Sequence, residues 1–140
     1  QAFAFDFAGA DGATIQAGRG GEVIFAREDQ TGNSYSDPNC SNCMANAVTV
    51  RHQDGSLSQY FHFQTNGVFV TQGQTIHRGD AVGRVGNTGY STGPHLHFHA
   101  RFAAADTHPI RFRSIESVHT TPPFACYIPQ QGDLAISDNN

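Results

Sequence analysis

The stretch "TGYSTGPHLHFHARF", Thr88 to Phe102, decides the fold. Its second half alternates strictly, with His95, His97 and His99 at every other position and Leu96, Phe98 and Ala100 between them. Successive side chains of a strand point to opposite faces, so the run predicts a β-strand over 95–102 with three imidazoles on one face and an apolar surface on the other. The glycine-rich "GNTGYSTGP" that overlaps its start reads as a turn. Working outward, the same period of two recurs over 2–8, 22–26, 47–52, 58–63 and 81–85, separated by the turns "GADGA", "GRGG", "QDGS" and "TNG". No apolar pattern with a 3.6-residue period runs longer than about two turns. Fifteen glycines among short strands predict an all-β chain, an antiparallel β sandwich or partly open barrel with long loops, as a single domain.

A chain of 140 residues suffices for one hydrophobic core. The strand pattern assigns that core to 1–113, and the looser 114–140 reads as a C-terminal extension ending in a mobile tail. A net charge of −4 gives no electrostatic reason to expect nucleic acid or an anionic membrane as partner. No apolar run reaches the roughly 18 residues that a membrane span needs. The start "QAFAFDFAGADG" has neither a basic segment nor a long apolar stretch, so it does not read as a signal peptide. The expected state is a monomer.

Cysteines stand at Cys40, Cys43 and Cys126, the first two in "DPNCSNCMAN". A C-x-x-C pair is a zinc knuckle, a redox pair or a short disulfide. A structural zinc site needs four ligands and only Cys126 remains, while a redox pair opens a helix after a strand and this one sits in the polar loop 29–46. The expectation is a loop-stapling disulfide between Cys40 and Cys43, in keeping with an exported protein, periplasmic or extracellular.

In "AFAFDFA" the same alternation sets Phe3, Phe5 and Phe7 on one face and Asp6 among alanines on the other. A lone carboxylate on a small-residue surface leaves room for a bulky group, and a metal ion with imidazole ligands fits that space. In "SQYFHFQ" strict alternation puts His62 on the face of Tyr60 and Gln64. Beside this stands a plainer possibility, since His-x-His on a strand is often a solvated polar face. His52, His77, His108 and His119 lack partners at a recognisable spacing and read as surface or hydrogen-bonded structural histidines.

Taken together, these residues resemble the lysostaphin-type, LytM-like zinc endopeptidases that cut peptidoglycan peptides. "FAFDFAGADGATIQAGRGGEV", "NAVTVRHQDGSLSQYFHF" and "VFVTQGQTIHRGDAVGRVGNTGYSTGPHLHFHAR" are similar, in order, to the family's aspartate strand, its N-x-V-x-I-x-H-x-D-G…Y-x-H-L stretch and its glycine hairpin ending in G-P-H-L-H-F. The resemblance spans roughly residues 1 to 102. It implies that Asp6 and His97 bind Zn2+, that His62 and His95 are the catalytic pair around the attacking water, and that the partners are peptidoglycan peptides. Zinc lowers the pKa of a bound water to about 7, and imidazoles can take and return its proton.

Two positions depart from the family's pattern. The remaining zinc ligand there is a histidine ahead of the aspartate, often four residues before it, where this chain has Ala2. The expectation is a third ligand upstream of Gln1, beside two alternatives: a degenerate site, or substitution by His99, which stands where the family has glutamate. If catalysis is absent, the family implies a non-catalytic module that binds peptidoglycan or regulates another wall hydrolase. The hairpin "VTQGQTIHRGDAVGRVG" also resembles half of a biotinyl or lipoyl carrier, but those attach their cofactor through lysine and this chain has none. Loops 29–46 and "NTGYSTG", with Tyr35, Tyr60 and Tyr90, are candidates to wall a substrate groove.

Overall fold

The computed structural model describes residues 3–34, 37, 43–102 and 107. Nine strands run through the described residues: β1 (Ala4–Ala8), β2 (Thr14–Gln16), β3 (Gly21–Arg27), β4 (Ala47–Arg51), β5 (Ser56–Phe61), β6 (Phe63–Val68), β7 (Thr75–Ile76), β8 (Ala81–Val85) and β9 (His95–Phe102). Among those residues there is no helix, and so none long and apolar enough to cross a membrane. A six-stranded sheet runs β1-β9-β5-β4-β3-β7 and a three-stranded sheet runs β2-β8-β6. All strand pairings are antiparallel, and neither sheet closes into a barrel.

Alternation along β9 sorts the large sheet into two faces. Phe98 stands opposite Phe5 of β1 and Tyr60 of β5, and one step along the strand His97 stands opposite Asp6 and Phe61. The Phe98 row faces the core, where the Tyr60 and Phe98 rings lie 4.9 Å apart and both are buried. Val23, Val48 and Val50 of the same sheet are also buried, as are Ile15, Phe63, Val82 and Val85 of the small one. Each such side chain stabilises the fold by about 1.5–3 kcal/mol relative to exposure. The core therefore holds the His97 row rigidly from behind.

Several sequence expectations change. The continuous strand expected over 58–63 is two strands, because His62 adopts φ +68 between β5 and β6 and passes the chain from the large sheet to the small one. The expected "TNG" turn lies inside β6, where Asn66 has φ +56 and the register against β8 shifts. Strands β2 and β7, of three and two residues, are too short to show a period. The extension 114–140, the boundary after Arg113, the Cys40–Cys43 pairing, Cys126, Tyr35, His108 and His119 lie outside the described residues.

Candidate active site

Antiparallel register brings Asp6 and His97 together. They are directly opposed across β1 and β9, and His97 Nδ1 lies 2.7 Å from Asp6 Oδ1. His95, two residues back on the same face, turns Nε2 towards the same carboxylate oxygen at 3.7 Å. His62 joins from the end of β5, its ring centroid 4.6 Å from that of His95 and 5.9 Å from that of His97. One ring nitrogen from each of His62, His95 and His97 lies within 4.8 Å of the others. Four groups singled out in the sequence thus meet in space.

His62 reaches this face by a route that alternation does not allow. A regular strand would put it on the side of Tyr60, but Tyr60 points into the core, its hydroxyl accepting a hydrogen bond from Gly18 N at 3.1 Å. The left-handed φ at His62 reverses the side and sets its ring beside Phe61's partner His97. Tyr60 is accordingly a core residue and not a groove wall. Tyr90 does stand at the site, 86% exposed, and with Ser91, Thr92, Phe61 and the four polar residues it lines a cavity of about 530 Å³.

The hydrogen-bond partners fix the tautomers of two histidines. His62 Nδ1 lies 2.7 Å from the carbonyl oxygen of Thr88, and His95 Nδ1 lies 2.8 Å from that of Gly93. A carbonyl only accepts, so each Nδ1 carries a proton and Nε2 is the nitrogen left to face the cavity. Burial, chiefly, holds the His62 pKa below its usual value, opposed by the Thr88 bond and by Asp6 and aided by the neighbouring His95 and His97. His62 is therefore neutral near pH 7.

His99 is 2% exposed, donates from Nε2 to Gln59 Oε1 at 2.9 Å, and stacks on Phe61 with ring centroids 5.5 Å apart. The Gln59 amide donates in turn to Thr49 Oγ1, which makes its oxygen the acceptor from His99. His99 Nδ1 has no hydrogen-bond partner among the described residues. Burial first, then the charges of His97 and Arg101, push its pKa down to about 4. His99 is not among the residues lining the cavity. Away from the site, His52 is buried between Gly20 O and Ser58 Oγ, and His77 is exposed beside Asp80. Phe61 and Thr88 shape the site without being singled out by the sequence reading, although Thr88 lies within the turn "GNTGYSTGP" of the family resemblance and Phe61 beside His62.

The donor set suits a divalent cation. Imidazole nitrogen and carboxylate oxygen are what zinc takes in hydrolytic sites, and here ring nitrogens of three histidines converge beside a carboxylate. Asp6 Oδ1 and His97 Nδ1 lie 2.7 Å apart, close enough for one ion to take both on displacing the proton between them.

Comparison with known proteins agrees with this picture. Residues 2–109 match the profile of Peptidase family M23. The DD-carboxypeptidase/endopeptidase Mpg of Neisseria meningitidis is 31% identical over 106 residues, 75% of this chain and 21% of that protein. The murein hydrolase activator NlpD of Escherichia coli is 30% identical over 107 residues, 76% of this chain and 24% of that protein. This chain thus spans only between a fifth and a quarter of the length of those two relatives. Among solved structures, a zinc-containing peptidase from Vibrio cholerae superposes with a TM-score of 0.53 at 30% identity, over 68% of this chain and 25% of that one.

Proposed function

The chain belongs to peptidase family M23, and on that premise we propose that it is a zinc endopeptidase hydrolysing amide bonds in bacterial peptidoglycan peptides. The observation that carries this reading is the convergence of Asp6, His62, His95 and His97 on one open cavity from three separate stretches of chain. Asp6 and His97 would hold the ion. Bound zinc supplies a Lewis acid that acidifies water to a pKa of about 7 and polarises the scissile carbonyl.

The remaining steps belong to the chain's own residues. His62, neutral and with its Nε2 lone pair towards the cavity, accepts the proton of the attacking water. His95, oriented by Gly93 and Ser91, presents Nε2 to the same space; once protonated it donates to the negative charge growing on the substrate oxygen or to the leaving amine. Phe61 and the exposed Tyr90 supply apolar wall against which a peptide backbone can lie. No covalent enzyme intermediate is required. Such a substrate lies outside the cytoplasmic membrane, so the reading carries export with it, and with export the Cys40–Cys43 disulfide.

A second reading has one observation in its favour: Ala2 offers no donor atom four residues ahead of Asp6, and catalytic zinc normally has three protein ligands. In that case the module would occupy peptidoglycan without cutting it, or act on another hydrolase, as the name of the relative NlpD states for that protein. Metal analysis of the purified protein, with mass mapping of digested peptidoglycan, separates the two. About one zinc per chain with chelator-sensitive release of peptides supports the enzyme; intact peptidoglycan that still binds the protein supports the module.

A further inference from the structure

We propose that Thr88 is the positioning residue for His62: its buried hydroxyl fixes the main-chain carbonyl that selects the His62 tautomer, and so keeps the Nε2 lone pair on the cavity side. Among the described residues, the hydrogen bond that holds the His62 ring is the one at Nδ1, 2.7 Å from Thr88 O. What holds Thr88 is its own side chain. Oγ1 accepts from Asn46 N at 3.0 Å and donates to Phe63 O at 2.8 Å, and the residue is buried. A β-branched side chain has few rotamers to leave, so two opposed hydrogen bonds suffice to lock it.

Both anchors of that hydroxyl are themselves fixed. Asn46 is fully buried, accepts from Gln30 N at 2.9 Å and donates to Gln30 O and Gln64 O at 3.0 and 3.2 Å. Phe63, immediately after His62, is fully buried in the core. The same segment also holds the His62 main chain, since Gly86 N donates to His62 O at 2.9 Å. Gly89 keeps the loop close: it has φ +84, and a Cβ there would come within 2.6 Å of Ala45 N. His62 is thus pinned at its carbonyl and at its ring by residues 86–88, which is how a non-glycine residue stays in the left-handed region at a cost of about 1–3 kcal/mol.

The chemistry of the pin decides the chemistry of the ring. If Thr88 O moved away, the Nε2–H tautomer would become accessible and would turn a donor towards the cavity where a base is needed. The catalytic consequence rests on the endopeptidase reading; the tautomer itself does not.

Long-range proton–nitrogen spectra of imidazole-labelled protein at pH 8 test it, with His62 assigned by the signal missing in His62→Gln. The wild type is expected to show His62 as the Nδ1–H tautomer, Thr88→Ser to retain it, and Thr88→Val, isosteric but without the hydroxyl, to give a mixture of both. On a wall peptide, Thr88→Val is expected to lower kcat about 10- to 100-fold with KM little changed, and Thr88→Ser to restore it. A wild-type His62 in the Nε2–H form overturns the proposal without any Thr88 variant being needed. So does Thr88→Val with an unchanged tautomer. If the tautomers behave as expected while the wild type cuts no wall peptide, the endopeptidase reading fails and the positioning of His62 by Thr88 stands.

Discussion

Asp6 and His97 lie 91 residues apart in the chain, yet the carboxylate oxygen of one is 2.7 Å from the imidazole nitrogen of the other. The contact follows from the β1–β9 register, which opposes the two residues directly. Asp6→Ala or His97→Ala should therefore weaken zinc binding by about 100-fold or more while leaving the fold intact, since Asp6 is exposed and neither side chain belongs to the core. Competition against a chromogenic chelator measures it. Unchanged affinity in both variants would remove the pair as ligands.

His62 and His95 are expected to separate chemistry from metal binding. Replacing either by alanine should reduce kcat on wall peptides by about 10²- to 10⁴-fold, the usual contribution of a proton-transfer group, at constant zinc content. Elemental analysis of the same samples decides the matter. Loss of zinc in step with activity would make these histidines ligands instead.

The buried imidazoles predict a pH dependence of stability with a definite sign. Burial, first, lowers the pKa of His52, His62 and His99, that of His99 from 6.5 to about 4. In the folded protein they stay neutral while the unfolded chain takes up protons below about pH 6.5. Their stabilisation is complete above that value and is lost as pH falls towards the folded pKa, for His99 by at most about 3 kcal/mol. Urea denaturation in chelator at pH 7.5 and 4.5 should show this loss, and His99→Gln should show less of it. Equal losses in both proteins would contradict the assignment.

Tyr90 is 86% exposed at the cavity mouth and contributes little to the core. Tyr90→Ser should leave the melting temperature unchanged and raise KM for a wall peptide about five- to tenfold through lost apolar contact. A fall in melting temperature with KM unaffected would make Tyr90 structural.

Glycine at position 89 is required by geometry, because its φ is +84 and a methyl group there would press on the Ala45 main chain. Gly89→Ala should cost about 1–3 kcal/mol of stability and displace the loop bearing Thr88. Thermal unfolding gives the first quantity and the His62 imidazole signals the second. A variant as stable as the wild type, with those signals in place, would show that the loop yields freely.

Local pattern alone determined the all-β class, the histidine face of β9, the placement of Asp6 among alanines on its strand and the family resemblance, because strand alternation and motif spacing are properties of neighbours in sequence. Tertiary structure decided the rest. Strict alternation placed His62 with Tyr60; a left-handed residue, stabilised by Gly86 and Thr88, sent Tyr60 into the core and His62 to the cavity. Alternation grouped His99 with His95 and His97 correctly, but only its opposition to Gln59 buried it and tied up Nε2. One φ value and the register between distant strands set these outcomes, and both are fixed by hydrogen bonds to partners that no short window of sequence contains.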